Sequence, residues 1–161
     1  MNETAERFGH AVKRLPRATE KLFTGARPDF VEWLSKNRVP QQTVDLFSKY
    51  WLAGEEQIEI GFANFWPESL IRIFHDETPE YFGAGWLIVA SMPNGDFVVS
   101  NIQDPVGVIS YVSHEEIWAE PNHVRDDLHA ICVRVADSLG EFLERVIDDE
   151  VPVDYFEAVE P

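Results

Sequence analysis

Apolar residues in this chain follow two spacings, and each spacing predicts a different kind of element. Between residues 86 and 112, three short apolar runs are separated by turn signals at residues 93–96 and 104–107. Asn94-Gly95 in the first turn favours the positive φ angles of tight connections between antiparallel strands. This segment therefore predicts a three-stranded antiparallel meander whose first hairpin lies at Asn94-Gly95.

The clearest helix is predicted directly after Ser138. Ser138 and Glu141 have the spacing of a capping box. Apolar residues then recur at i, i+3, i+4, i+7 and i+8, the spacing of a helix with one buried face. These residues are Leu139, Phe142, Leu143, Val146 and Ile147.

Other elements are predicted around this meander and helix. Pro28 and Pro40 each precede a helical pattern, since proline suits the start of a helix, and Gly54 is placed to cap the second helix. Alternation over residues 58–62 predicts a strand, whereas residues 70–74 favour a short helix over a strand. Residues 131–135 alternate as a last strand or an extended lead-in would.

The length of 161 residues fits one domain. We predict a single α+β domain, with a mainly antiparallel sheet and helices packed against it, over residues 28–161, including an acidic C-terminal tail. Residues 1–27 form an N-terminal arm. Phe8, Val12 and Leu15 allow one short helix in this arm before Pro16, and the arm either frays or packs on the outside.

The charges of the chain are distributed unevenly. The formal net charge is −16, with +3 on residues 1–38 and −19 on residues 39–161. Such a surface repels nucleic acids and anionic membranes, and it attracts basic proteins at a rate that falls with salt. We therefore predict a protein partner, no nucleic acid and no membrane. The alternative is that the acidity serves solubility alone.

The cysteine content and the N-terminus bear on the compartment. Cys132 is the only cysteine, which excludes an internal disulfide and is typical of a reducing environment. The N-terminus lacks the apolar core of a signal peptide, and no apolar run approaches the roughly 18 residues of a membrane helix. We therefore predict a cytoplasmic protein.

No motif indicates a cofactor, a metal or an activated nucleophile. His114, His123 and His129 form the one histidine group in the sequence. Residues 123 and 129 would lie about 240° apart around a helix rather than on one face, and no zinc motif is present. Adjacent acidic pairs leave a hydrolase open, because such an enzyme needs two carboxylates in one cleft. We predict no cofactor and no enzymatic activity.

Four segments resemble the SMI1/KNR4 (SUKH) family. They are residues 39–47 at the second predicted helix, residues 90–97 with Gly95-Asp96, Ser113-His114-Glu115 after the third strand, and residues 135–143 with the closing helix. The resemblance spans residues 28–147. It implies an α+β fold and no shared catalytic residues. It also implies a role in protein binding, often as an immunity protein that neutralises a toxin.

The resemblance and the charge together lead to a functional hypothesis. We expect a binding module, specifically an immunity protein that occludes a basic toxin of the nuclease type, because a nuclease has a positive groove for phosphates. A regulatory or scaffolding protein of the same fold is the first alternative, and the hydrolase is the second. The candidate partner-binding residues are acids and one aromatic in two patches: Glu115, Glu116, Trp118 and Glu120, then Asp148, Asp149 and Glu150.

Overall fold

The computed structural model describes residues 2–114 and 132–159. Within these ranges, groups of helices and groups of strands follow one another along the chain. The helices are α1 (Glu3–Val12), α2 (Arg17–Glu20), α3 (Pro28–Lys36), α4 (Gln41–Tyr50), α5 (Glu68–Glu77), α6 (Glu80–Gly83), α7 (Leu139–Ile147) and α8 (Tyr155–Val159). The strands are β1 (Ile58–Ile60), β2 (Ala63–Phe65), β3 (Trp86–Ser91), β4 (Phe97–Asn101), β5 (Ile109–Val112) and β6 (Cys132–Ala136).

The six strands form one sheet in which each strand pairs antiparallel with the next along the chain. This arrangement confirms the predicted α+β class and the meander over β3, β4 and β5. It also resolves the ambiguity at residues 131–135, because Cys132–Ala136 is a strand paired with β5. Residues 70–74 lie within α5, as favoured from the sequence.

Helices cover both faces of the sheet. Phe97 pairs with Val112, and the next residue along β4 pairs with Tyr111, so Phe97 and Tyr111 point to opposite faces. The Phe97 ring lies 5.3 Å from Phe74 of α5, and the Tyr111 ring lies 6.3 Å from Phe142 of α7. Two covered faces explain why Trp86 to Ala90 are all buried in β3.

Trp51 lies at the centre of the aromatic core beneath α1 and α4. Its ring stacks on Phe47 at 4.4 Å and lies 5.7 Å from Phe8 and 6.2 Å from Phe65. Its indole Nε1 donates to the carbonyl oxygen of Trp66 at 2.9 Å. The Trp51 ring is therefore fully buried with its polar atom satisfied, which is the condition for a stable buried tryptophan.

The segment that the sequence set apart as an arm contributes to this core. Phe8 on α1 is fully buried, and α1 packs against both α4 and α7. Gly140 allows the close approach to α7, because a Cβ there would lie 3.0 Å from the backbone nitrogen of Phe8. Helix α1 therefore joins the N-terminal residues to the closing helix.

The structure corrects two local predictions between residues 50 and 65. The predicted strand over residues 58–62 is a hairpin, because Gly61 takes a φ of +58° and reverses the chain between β1 and β2. Phe62 then lies at the hairpin tip rather than in the core. Gly54 does not cap α4, which ends at Tyr50 with Trp51 in an extended C-cap conformation.

The first hairpin of the meander has a three-residue connection. The Gly95 N–H donates to the Met92 carbonyl oxygen at 2.9 Å, and the Met92 N–H donates to the Asp96 carbonyl oxygen at 2.8 Å. Gly95 has a φ of +96°, whereas Asn94 has a negative φ. The turn is thus type I followed by a glycine bulge, and only Gly95 needs the positive φ that the sequence suggested for the pair.

The closing helix begins where its capping residue predicts. The Ser138 side chain accepts a hydrogen bond from the Glu141 N–H at 3.2 Å, and α7 starts at Leu139. Within the described ranges, no helix has the length and apolar character needed to span a bilayer.

Candidate functional site

The acidic patch Asp148–Glu150 lies on the surface at the C-terminal end of α7. Asp148 forms an ion pair with Arg14, which follows α1. Asp149 takes a φ of +56°, so the chain turns away from the helix at this residue. Arg145 Nη2 donates to the Glu150 carbonyl oxygen at 2.8 Å and brings a positive charge to a helix end where acids are unfavourable.

A shallow groove of about 430 Å³ lies beside this patch, between the end of α7 and the β1–β2 hairpin. Phe62, Ile147 and Asp149 are among its lining residues. Phe62 is 49% exposed. Gly61 allows the hairpin to approach α7, because a Cβ there would lie 3.1 Å from the carbonyl oxygen of Val146. The groove therefore combines the exposed ring of Phe62 with the carboxylate of Asp149 and with Arg14, whose charge is paired with Asp148.

Phe62 was not predicted as a site residue, because its alternation with Ile58 and Ile60 indicated a buried strand position. One signal in the sequence could have identified it. Gly61 interrupts the alternating run, and a glycine inside a strand pattern often marks a bulge or a tight turn. The turn leaves the side chain after it outside the packed layers.

The other predicted patch, formed by Glu115, Glu116, Trp118 and Glu120, lies outside the described residues. The described chain reaches His114, the residue immediately before this patch. His114 is held against the first hairpin of the meander by Asp96. Asp96 therefore fixes the position on the sheet from which the segment with this patch departs.

Asp96 is a fully buried carboxylate with donors on both oxygens. Oδ1 lies 3.1 Å from the backbone N of His114 and 2.6 Å from its ring Nδ1. Oδ2 accepts from the Tyr155 N–H at 2.8 Å and from Asn94 Nδ2 at 2.9 Å. Burial raises the pKa of Asp96, but these hydrogen bonds outweigh burial and hold its pKa below the ordinary value. The carboxylate joins the hairpin, the end of β5 and the C-terminal tail.

His75 is a further buried ionisable group with a structural role. It is 2% exposed on α5, and its Nε2 accepts from the Ile88 N–H of β3 at 3.1 Å. Its ring stacks on Phe82 at 4.1 Å. Burial lowers the pKa of His75 to about 4, so the ring is neutral near pH 7 and joins α5 to the sheet.

The described residues do not place metal-binding side chains together. Within residues 2–114 and 132–159, no group of three His, Cys, Asp or Glu side chains could hold a metal ion. The single cysteine, Cys132, is half-buried on β6.

Comparisons with known proteins do not assign this chain to a family. No protein-family model, no curated protein and no solved structure matches it.

Proposed function

We propose that this chain is a non-enzymatic protein-binding module of the SMI1/KNR4 type, which acts as an immunity protein against a basic toxin of the nuclease type. The observation that supports this proposal best is the groove beside Asp148–Glu150. There, the exposed ring of Phe62 borders a groove that Asp149 also lines, and Glu150 is exposed next to Asp149 in the chain. Neither carboxylate forms an ion pair with another described residue. A partner with basic groups could pair with these carboxylates, and its apolar groups could cover the Phe62 ring.

Electrostatics favours this kind of partner. A nuclease carries cations that hold phosphates in its groove, and acidic side chains can occupy the same positions. The charge of −19 on residues 39–161 steers a basic protein toward this surface and speeds association. Phe62 then supplies an aromatic contact of the type that often dominates binding energy at an interface.

Two of the segments that carry the resemblance contact each other, which supports the SMI1/KNR4 proposal. Asp96, in the Gly95-Asp96 turn, accepts hydrogen bonds from His114 in the Ser113-His114-Glu115 segment. A third segment contains Ser138, which caps α7. Asp96, His114 and Ser138 therefore each stabilise the fold. This is expected if the segments that resemble the family specify its fold rather than its partner.

Co-expression with the products of adjacent genes tests the proposal. We expect one product to be a basic protein that is toxic alone, binds this chain in a stable complex and loses its nuclease activity in that complex. The double variant Asp149→Asn with Glu150→Gln should weaken the complex. The matched control, Glu32→Gln with Glu77→Gln, removes the same charge from α3 and α5 and should bind as the wild type does.

Two results would contradict the proposal. One is that no product of an adjacent gene is toxic or binds the chain. The other is a nuclease that remains fully active in the complex, since an immunity protein must block its toxin.

A further inference from the structure

A second concave site lies next to the α1–α2 connection, and the proposed function does not use it. It has a volume of about 340 Å³ and is bounded by the end of α1, by α2 and by the end of α4. Three cationic side chains line it, Lys13, Arg17 and Lys21, and one acid, Glu20, lies among them. The lining therefore has a net charge of +2 in a protein whose net charge is −16.

The three cations of this pocket differ from most others in the described chain. Six cationic residues pair with carboxylates there: Arg7, Arg14, Arg27, Lys36, Arg72 and Arg134. Lys13, Arg17 and Lys21 form no ion pair with any described residue, although acids outnumber bases by 29 to 13 in the chain. Their positive charge is therefore available to an anion from solution.

Two hydroxyl groups add neutral donors to this pocket. Tyr50 and Thr24 both line it, and neither hydroxyl forms a hydrogen bond with a described residue. The Tyr50 ring can lie over α1 only because residue 9 is glycine. A Cβ at Gly9 would lie 2.5 Å from Tyr50 Cζ and 2.7 Å from the Tyr50 hydroxyl oxygen. The present shape of the pocket thus depends on a close approach, because the Tyr50 ring would have to shift if residue 9 carried a Cβ.

We propose that this pocket binds the phosphate group of a small phosphate monoester. A phosphate monoester carries a charge of about −1.5 to −2 at pH 7, which balances the charge of the lining. The Arg17 guanidinium can donate to two phosphate oxygens, and the lysines act as point charges. The apolar part of the lining, which consists of the half-buried Tyr50 ring and the small exposed edges of Val12 and Phe23, faces the organic part of the ligand. The volume lies at the lower end of the range for ligand sites.

Calorimetric titration with phenyl phosphate, inorganic phosphate and phenol tests this site. We expect phenyl phosphate to bind saturably at about 1 mM or below, inorganic phosphate more weakly, and phenol not at all. Equal affinity for phenyl phosphate and inorganic phosphate would overturn the assignment to a monoester. The absence of saturable binding by both phosphates would overturn the site.

Variants locate the binding to this pocket. Arg17→Gln and Lys21→Gln should each weaken phenyl phosphate binding by roughly tenfold, since each removes a charge-assisted hydrogen bond. Tyr50→Phe should weaken it less, because it removes one neutral donor. The control Lys36→Gln removes the same charge from α3 and should leave binding unchanged. Equal losses in Lys36→Gln and Arg17→Gln would show that general charge, rather than the pocket, holds the anion. Thermal melts verify that each variant is folded.

Discussion

One buried oxygen, Asp96 Oδ1, lies 2.6 Å from the ring Nδ1 of His114 and 3.1 Å from the backbone N of the same residue. Because an ionised carboxylate only accepts hydrogen bonds, the His114 ring donates through Nδ1. The Asp96 carboxylate, on the turn, and the His114 ring, on the segment that follows β5, therefore hold these two parts of the chain together. The second oxygen of Asp96 holds the backbone of Tyr155 at the start of α8.

Removing this carboxylate should destabilise the whole domain. We expect Asp96→Ala to lower the free energy of unfolding by about 3 kcal/mol or more, because several donors inside the protein lose a charged acceptor. Urea denaturation measures the loss. The control Asp137→Ala removes a carboxylate that is exposed and paired only with exposed Arg134, and it should cost less than about 1 kcal/mol. Similar losses in the two variants would contradict a special role for Asp96.

The same carboxylate makes a prediction about acid stability. The folded-state pKa of Asp96 is below its ordinary value of 3.8, so its contribution is complete above pH 3.8 and is lost as the pH falls through the folded value. The difference in stability between the wild type and Asp96→Asn should therefore be constant from pH 7 to pH 5 and should shrink below pH 4. If this difference in stability instead grows toward low pH, the prediction is contradicted.

The turn next to Asp96 makes a further prediction. Gly95→Val should destabilise the domain by about 1–3 kcal/mol, because a β-branched residue strongly disfavours the φ of +96°. The cost is conformational rather than steric, since the nearest atom to a Cβ there is 3.8 Å away in His114. Gly54→Val is the matched control, because a Cβ at Gly54 meets nothing within 4 Å. Urea melts in which both variants lose equal stability would contradict the requirement for glycine.

The meander and the closing helix could be predicted because their signals are local. The turn at Asn94-Gly95 and the capping box at Ser138 each depend on a few neighbouring residues. The periodicity of α7 is also contained in one short window. Such signals specify where elements begin and end. They do not specify which elements contact each other, so the burial of Phe8 could not be predicted from its helical spacing alone.

The parts of the candidate site that the sequence missed depend on distant residues. Asp96 has the sequence context of a solvated turn residue, and it is buried because His114 and Tyr155 donate to it from far along the chain. Phe62 continues an alternating pattern, yet the tight turn at Gly61 places it at an exposed tip. Tertiary contacts decide both cases, and a periodic pattern does not contain them.

His75 makes a further prediction, on stability between about pH 4 and pH 6.5. Its pKa falls from 6.5 to about 4 on folding because the ring is buried, so the unfolded chain binds a proton more readily between these values. The contribution of His75 to stability should be complete above pH 6.5 and should be lost progressively as the pH falls to about 4. The total loss is about 3 kcal/mol.

Urea melts at pH 7, 6 and 5 measure this effect. We expect His75→Gln, which keeps an acceptor for the Ile88 N–H, to show a weaker dependence on pH in this range than the wild type. The control His10→Gln replaces an exposed histidine and should keep the full dependence. If His75→Gln loses stability toward pH 5 as steeply as the wild type, another group is responsible.

A further prediction concerns association with the proposed toxin partner. Because charge steers the encounter, the association rate should fall at least tenfold between about 0.05 and 0.5 M salt, while the dissociation rate changes much less. Phe62→Ala should cost about 2 kcal/mol of binding energy if Phe62 is an anchor. Leu22→Ala, which truncates an exposed apolar residue that does not line the groove, should have no effect. Stopped-flow association rates that are flat across salt would contradict the electrostatic mechanism.

Charge reversal separates the two acidic patches as docking sites. We propose the Asp148–Glu150 patch as the docking site because the exposed ring of Phe62 lies beside it. The double variant Asp149→Lys with Glu150→Lys should therefore slow association more than the triple variant Glu115→Lys, Glu116→Lys and Glu120→Lys does. We expect this order although the triple variant changes more charge. Trp118→Ala should then bind nearly as well as the wild type. If instead the variant at 115, 116 and 120 and Trp118→Ala both lose binding, the partner docks on the segment after His114. The groove would then be excluded as the docking site.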